Sequence, residues 1–304
     1  MLLVFGSINL DIAFQAEHLP LAGETVLGGG YLLSPGGKGA NQAHAARRFG
    51  LPVRLVGAVG HDAFAAPALA SLEAAGVDLT GVQRLAGETG CAAIMVDARG
   101  ENQIVVAPGV NLALRHSHVA DATLADARAV LMQMETDPAE NQALLARARR
   151  HGGLAVLNNA PAQRTPPELL QALDVLIVNE SELAQTALGA GVSPGPEPAL
   201  LVQELARRFS LTVVLTLGSQ GVLACTAEQT LRLPAAKVEV VDTTGAGDTF
   251  AGVFTAALVE QQPLRNALAR ASVAAGLACT RRGAQLAQPG RADIEAALKH
   301  YPAF

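Results

Sequence analysis

Leu2-Leu3-Val4-Phe5-Gly6-Ser7 is a run of apolar residues, without alternation, that ends in a glycine turn. A strand with one face in water alternates apolar and polar residues, so an unbroken run reads as a strand buried on both faces, as in a parallel sheet. It has no cationic flank and is too short for a signal peptide or a membrane span, so it reads as the first strand of the fold. The same signature recurs at Val53 to Val59, Ala129 to Met132, Leu154 to Leu157, Val175 to Val178 and Val213 to Leu217. Between these runs, Asn41 to Phe49, Ala65 to Ala75, Pro138 to His151, Pro198 to Phe209 and Thr249 to Glu260 carry helical periodicity and strong helix formers. Strand and helix in alternation predict an α/β fold with a doubly wound, mostly parallel sheet in a three-layer sandwich.

Two stretches break the rhythm. Segments 11–34 and 90–110 hold strand-like pieces and the turn signals Gly28-Gly29-Gly30 and Asp97-Ala98-Arg99-Gly100, but no long helix. The second predicts a hairpin, Ala92 to Val96 turning back through Gln103 to Val106. Such insertions serve as a lid over a site or as a decorated sheet edge. The expectation is one α/β domain over residues 1–304, with these two lid segments inserted and a short linker-like stretch from Gly189 to Pro198.

Half of the 304 residues are hydrophobic, enough for a sizeable core. A net charge of −5 and the lack of any Lys/Arg run longer than a pair argue against nucleic acid and anionic membrane as partners. Cys91, Cys225 and Cys279 are odd in number and far apart, which suits neither a disulfide framework nor a zinc site. A reducing, cytoplasmic setting is expected.

The chemistry concentrates in Val241-Asp242-Thr243-Thr244-Gly245-Ala246-Gly247-Asp248-Thr249-Phe250. Two glycines where a loop becomes a helix let several N–H groups converge, and the helix dipole adds roughly half a positive charge there. An anion would bind. A carboxylate in a first helical turn also serves simply as a cap or a stabilising charge. Beside an anion hole, however, Asp248 suits phosphoryl transfer, accepting the proton of an attacking hydroxyl while the amides hold the moving group. No G-x-x-x-x-G-K-[ST] occurs, and Gly6-Ser7-Ile8-Asn9 lacks the dinucleotide fingerprint, which argues against a Walker A protein and a nicotinamide oxidoreductase. A second cluster, Ser34-Pro35-Gly36-Gly37-Lys38-Gly39-Ala40-Asn41, embeds two hydrogen-bonding side chains in glycines that let a ligand approach the backbone. It reads as a plain turn or as a sugar contact.

These two clusters, in this order and separation, resemble the signatures of the ribokinase-like (PfkB) sugar kinases, and the similarity runs from Val4 to about Pro289. The resemblance implies a nine-or-so-stranded core with a small β lid, ATP as donor and Mg²⁺ as cofactor. It implies Asp248 as catalytic base beside the Gly245, Ala246 and Gly247 amides. Asn9, Asp11, Gly37, Lys38, Asn41 and Glu135 are implied as substrate contacts, together with Asp248. Asn179, Thr216, Gly218, Ser219, Gly221, Gly247 and Ser272 fall on the nucleotide side, and Glu182 is implied to hold Mg²⁺ through water. Activation by K⁺ is implied through Asp242, Thr244, Ala278, Arg281 and Gly283. A further position of that site, often Ser, falls here on Ala287, which has no side-chain oxygen.

The resemblance of Asn9 with Asp11, and of the full Gly37-to-Asn41 stretch, to ribose-specific members of that family implies D-ribose as acceptor. Nucleosides, fructose and 2-keto-3-deoxy sugar acids are the nearest alternatives, and a catalytically silent sugar-binding protein is the alternative from another class. A sugar acid would call for more cations in the lid than Arg99. The apolar hairpin suits pairing of two lids in a homodimer.

Overall fold

The computed structural model describes residues 1–302 except 194 and 196. Those two prolines belong to the stretch read as a linker, and that part of the reading lies outside the described residues. The strands are β1 Leu2–Phe5, β2 Asn9–Gln15, β3 Gly30–Gly36, β4 Val53–Val56, β5 Ala58–Val59, β6 Gln83–Arg84, β7 Gly90–Val96, β8 Asn102–Ala107, β9 Ala129–Met132, β10 Leu154–Asn158, β11 Val175–Val178, β12 Thr212–Thr216, β13 Val222–Cys225 and β14 Thr230–Leu233. The helices are α1 Lys38–Arg48, α2 Ala65–Ala75, α3 Asp121–Asp126, α4 Pro138–Ala148, α5 Pro167–Leu170, α6 Glu180–Gly189, α7 Pro198–Phe209, α8 Ala246–Val259, α9 Leu264–Ala278 and α10 Arg291–Leu298.

The large sheet has the order β14-β13-β12-β11-β10-β9-β1-β4. It is parallel from β12 to β4, and β13 and β14 return antiparallel at one edge. The expected doubly wound α/β sandwich is therefore found, with eight strands in this sheet among the described residues where the resemblance implied nine or so. Because successive side chains of a strand point to opposite faces, Leu2 and Val4 join a core with α1, α2, α8, α9 and α10, while Leu3 and Phe5 join a second core with α3 to α7. That division explains why the parallel strands read as unbroken apolar runs.

The run Val53 to Val59 is two strands, not one. The chain leaves the large sheet at Gly57, whose carbonyl accepts from Gln83 N, and β5 pairs with β6 instead. Two helices also begin earlier than their periodicity suggested, at Lys38 and Ala246. The glycines before them, Gly37 and Gly245, have φ of +87° and +73° and are the cap residues themselves. A helix that opens on Gly-x-Gly shows no apolar stripe in its first turn, so periodicity finds it late. At the other end, α4 stops at Ala148 and a short 3₁₀ turn carries the chain to His151.

The two irregular segments meet in a four-stranded sheet of order β3-β2-β7-β8, with the predicted hairpin as β7 and β8. Register places Asp11 beside Ser34 and Ala92, and Ala92 beside Val106, on one face. Helices α1 and α8 touch backbone to backbone, since a Cβ on Gly252 would lie 2.4 Å from Gln42 O. This contact sets the N-termini of the two helices side by side. No helix among the described residues is long and apolar enough to cross a membrane.

Candidate active site

A cavity of about 550 Å³ lies between the small sheet and the ends of β1, β9 and β10, and both helix N-termini reach it. Asn9, Asp11, Gly37, Lys38, Asn41, Glu135, Gly245 and Asp248, all singled out from sequence, line it. Ile94, Ile104 and Val106 supply apolar wall from the small sheet. Polar groups on one side and an apolar cover on the other are the usual make-up of a small-ligand site.

Asp248 sits in the first turn of α8 and is 7% exposed. Its Oδ2 accepts from Asn41 Nδ2 at 2.9 Å and its Oδ1 from Gln42 Nε2 at 3.0 Å. α8 has no side-chain cap, so first-turn N–H groups beyond those satisfied locally are left for an anion, as helix N-termini favour, whereas the Lys38, Gly39 and Ala40 N–H groups at the start of α1 are already taken by Glu135 and Ser7.

Glu135, just past β9, ties the start of α1 to β1. Its Oε2 accepts from Lys38 N at 2.9 Å and from Ser7 Oγ at 2.5 Å, and Ser7 Oγ accepts in turn from Gly39 N. Asn9 Oδ1 accepts from Asn111 Nδ2 at 2.8 Å, and Asn111 also brackets the Ile8 backbone. Asn111 lies outside both motifs and no sequence signal marked it. The Asp11 carboxyl is pushed up to about 7, first by burial and then by the Glu135 and Asp248 carboxylates, with Lys38 opposing. The Lys38 ammonium is held above its ordinary value, chiefly by Asp248, although burial works against it; Glu135, Glu182 and Asp11 add to the effect. One cation among four carboxylates leaves the region around Lys38 with excess negative charge.

Asn179 and Glu182 form a reciprocal cap at the start of α6. Asn179 N and Nδ2 donate to Glu182 at 2.8 and 2.9 Å, and Glu182 N donates back to Asn179 Oδ1. Burial raises the Glu182 carboxyl above its ordinary range, against the hydrogen bond from the Asn179 backbone and the charge of Lys38. Thr216 closes β12 and leads into a 3₁₀ turn, Gly218–Gln220, on which Gly218 and Ser219 are exposed; Gly221 follows, buried. Ser272 is buried on α9. None of these residues, expected on the nucleotide side, lines the cavity, in contrast to those expected on the sugar side.

Asp242, Thr244 and Gly283 do come together. Asp242 Oδ1 accepts from Thr244 N and Oγ1 at 2.9 and 2.7 Å, and Oδ2 accepts from Gly283 N at 2.8 Å. Burial would raise the Asp242 carboxyl, but these bonds hold it below its ordinary value. Val241 N and Asp242 N reach Cys279 O, which lays the loop after α9 along this segment, and Arg281 N bonds to Ala278 O. Ala287 is buried.

The residues that sequence reading missed are mostly amides. Gln42, Gln133, Asn158 and Gln285 are buried around Asp248 and Asn41; Gln42 adjoins the first motif, Gln133 stands two residues before Glu135 and Gln285 two after Gly283.

A model of the pfkB family carbohydrate kinases matches residues 1–291. A ribokinase of Lactococcus lactis subsp. lactis is 35% identical over 300 residues, covering 97% of this chain and 96% of that protein. A ribokinase of Haemophilus influenzae is 35% identical, with 98% of each chain covered. Among solved structures, a ribokinase from Thermotoga maritima superposes with a TM-score of 0.91 at 33% identity, covering 98% of this chain and 99% of that one. Arabidopsis thaliana ribokinase complexed with ribose and ATP gives 0.89 at 30% identity, with 98% of each covered. With its two motifs brought to one cavity and the family match spanning nearly its whole length, the chain belongs to the pfkB family of carbohydrate kinases.

Proposed function

We propose that this carbohydrate kinase transfers the γ-phosphoryl group of ATP to the primary hydroxyl of D-ribose, giving ribose 5-phosphate and ADP. The observation that carries the reading is Asp248, a buried carboxylate in the first turn of α8, facing the same cavity as Asn9, Asp11 and Lys38. The identities to ribokinases over nearly full length support the acceptor. Arg99 is bound to Asp97 within the β7–β8 turn, so the lid's one cation is already engaged, which disfavours a sugar acid.

In this reading the sugar hydroxyls take hydrogen bonds from Lys38 and donate to Asn9 and the carboxylates. The Asp248 carboxylate takes the proton of the primary hydroxyl as that oxygen forms its bond to the γ-phosphorus. The bond from γ-phosphorus to the bridging oxygen breaks, ADP leaves with that electron pair, and Asp248 later gives its proton to solvent. General-base help of this kind contributes about 10²–10⁴-fold. The Gly245, Ala246 and Gly247 amides hold the phosphoryl oxygens, and the Thr216-to-Gly221 turn and Ser272 lie on the nucleotide side.

The surplus of carboxylates over cations near Lys38 suits a divalent cation. Mg²⁺, which keeps several waters, would be held through them by Glu182 and would neutralise phosphate charge. The Asp242, Thr244, Ala278, Arg281 and Gly283 segments lie side by side and offer carbonyl oxygens to K⁺, with Ala287 adding none. The outer face of the small sheet exposes Tyr31, Leu33 and Val105, an apolar surface suited to a second copy of the lid. Three unpaired cysteines suit the cytoplasm.

The test is ADP release with ATP and Mg²⁺ across ribose, deoxyribose, fructose, 2-keto-3-deoxygluconate and nucleosides, with and without K⁺. Turnover strongest on ribose supports the proposal; turnover confined to another acceptor overturns ribose and keeps the kinase.

A further inference from the structure

Two chains of buried amides converge on Asp248 from opposite sides. On one side Gln133 Nε2 donates to Gln42 Oε1 at 2.8 Å, and Gln42 Nε2 donates to Asp248 Oδ1 and to Asn158 Oδ1 at 3.0 and 2.9 Å. On the other, Ser71 Oγ donates to Gln285 Oε1, Gln285 Nε2 donates to Asn41 Oδ1 at 3.0 Å, and Asn41 Nδ2 donates to Asp248. Gln42, Gln133 and Gln285 are each at most 2% exposed, and none lines the cavity.

A primary amide has one end that donates and one that accepts, and turning it over exchanges them. An ionised carboxylate only accepts, so Asp248 is held only while both neighbouring amides keep their NH₂ ends toward it. The direction of each is imposed from behind. Gln285 occupies the oxygen of Asn41, and Gln133 occupies the oxygen of Gln42. Backbone contacts anchor the frame: Asn158 Nδ2 donates to Ile177 O at 3.1 Å, and Gln288 Nε2 donates to Asn41 O at 3.0 Å while its Oε1 takes the Nδ1–H of His44.

We propose that Gln285 and Gln133 are positioning residues that fix the polarity of the Asn41 and Gln42 amides, and through them aim the Asp248 carboxylate at the acceptor hydroxyl. The inference rests on Asp248 as the base. Turning either amide over would set its oxygen against a carboxylate oxygen and swing Asp248 away.

Gln133→Glu has the shape of the original and tests polarity directly. At low pH the introduced carboxyl is protonated and donates to Gln42 Oε1 as the amide did. As pH rises it ionises, can only accept, and the Gln42 amide turns over. The ratio of kcat in this variant to kcat in the unaltered enzyme is expected to fall about tenfold or more between about pH 5.5 and about pH 8.5, the size expected for losing one hydrogen bond to a charged group. KM for ribose and for ATP should stay within about twofold. Asp11, Lys38, Glu135 and Glu182 face Asp248, and His44 faces Gln288, but all are present in both proteins, so the ratio isolates the new carboxyl. Gln133→Leu should lower kcat by a factor that does not change with pH. Should Gln133→Glu fail to fold by thermal melting, Gln285→Leu tests the other arm, with kcat expected to fall while KM for ATP stays within about twofold. A flat ratio in folded Gln133→Glu, or kcat and both KM values moving together, overturns the inference. Asp248→Asn is assayed alongside: full turnover there sinks the base itself, whereas its loss together with a flat ratio sinks only the positioning role.

Discussion

Asn41 Nδ2 lies 2.9 Å from Asp248 Oδ2 although the two residues are 207 positions apart in the chain. The contact joins the motif at the start of α1 to the motif at the start of α8, and it uses both polar atoms of the Asn41 side chain, since Gln285 holds the other. A sugar hydroxyl that contacts Asn41 must share one of these bonds.

Asp248→Asn keeps the shape and removes the proposed proton acceptor. Turnover on ribose should fall by about 10²–10⁴-fold while ATP binding stays within about twofold. Steady-state kinetics and calorimetric ATP titration check this, and retained turnover would remove Asp248 from the role.

Asp11 carries a pH signature. Its carboxyl is raised from 3.8 to about 7 in the fold, so the native state holds the proton more tightly than the unfolded chain. The stability from that proton is fully present below about pH 4 and is lost as pH rises through about 7. Asp11→Asn, which resembles the protonated form, should melt a few degrees higher than the unaltered protein at pH 8 and with no such gain at pH 4. It should also weaken ribose binding. Melting curves at the two pH values, with the sugar absent, decide it.

Lys38→Met leaves Asp248, Glu135, Glu182 and Asp11 facing one another without a cation. Stability should drop, and drop further as pH rises through neutrality and the raised Asp11 carboxyl gains its charge. Denaturant midpoints measured at pH 5 and pH 8 should diverge more in the variant than in the unaltered protein.

Gly252→Val forces α8 off α1, because a side chain there meets Gln42 O. A destabilisation of about 1–3 kcal/mol is expected, with a fall in kcat larger than any change in KM, since the helix contact sets Asp248 against its amides. Urea unfolding and kinetics on the folded fraction test both parts.

Val105→Asp puts a charge on the outer face of the small sheet, where Val105 is 64% exposed. If two lids pair, equilibrium sedimentation should show the unaltered protein as dimer and this variant as monomer. A monomer in both removes the dimer.

The parallel strands were legible because burial on both faces leaves an unbroken apolar run, and β1, β9 and β11 fall where those runs lie. Val222–Cys225 and Thr230–Leu233 were missed: the first is a short apolar run with no helix after it, and the second is half exposed at the sheet edge. At the site, glycine clusters and charged residues marked Lys38, Asn41, Gly245 and Asp248, because loops that approach a ligand leave a local signature. Gln133 and Gln285 left none. A buried amide matters through partners far away in sequence, and a single glutamine in an ordinary stretch carries no local trace of them.

The backbone contact between α1 and α8 also governs when the catalyst comes into being. As the chain leaves the ribosome, the sugar-side half of the cavity emerges first, and roughly two hundred residues must follow before Gly252 can seat against Gln42. Until then Asp248 is not held by the Asn41 and Gln42 amides at the cavity. A chain that ends before α8 therefore lacks the carboxylate proposed as the base, and one that includes it holds that carboxylate in place only once α8 has docked on α1.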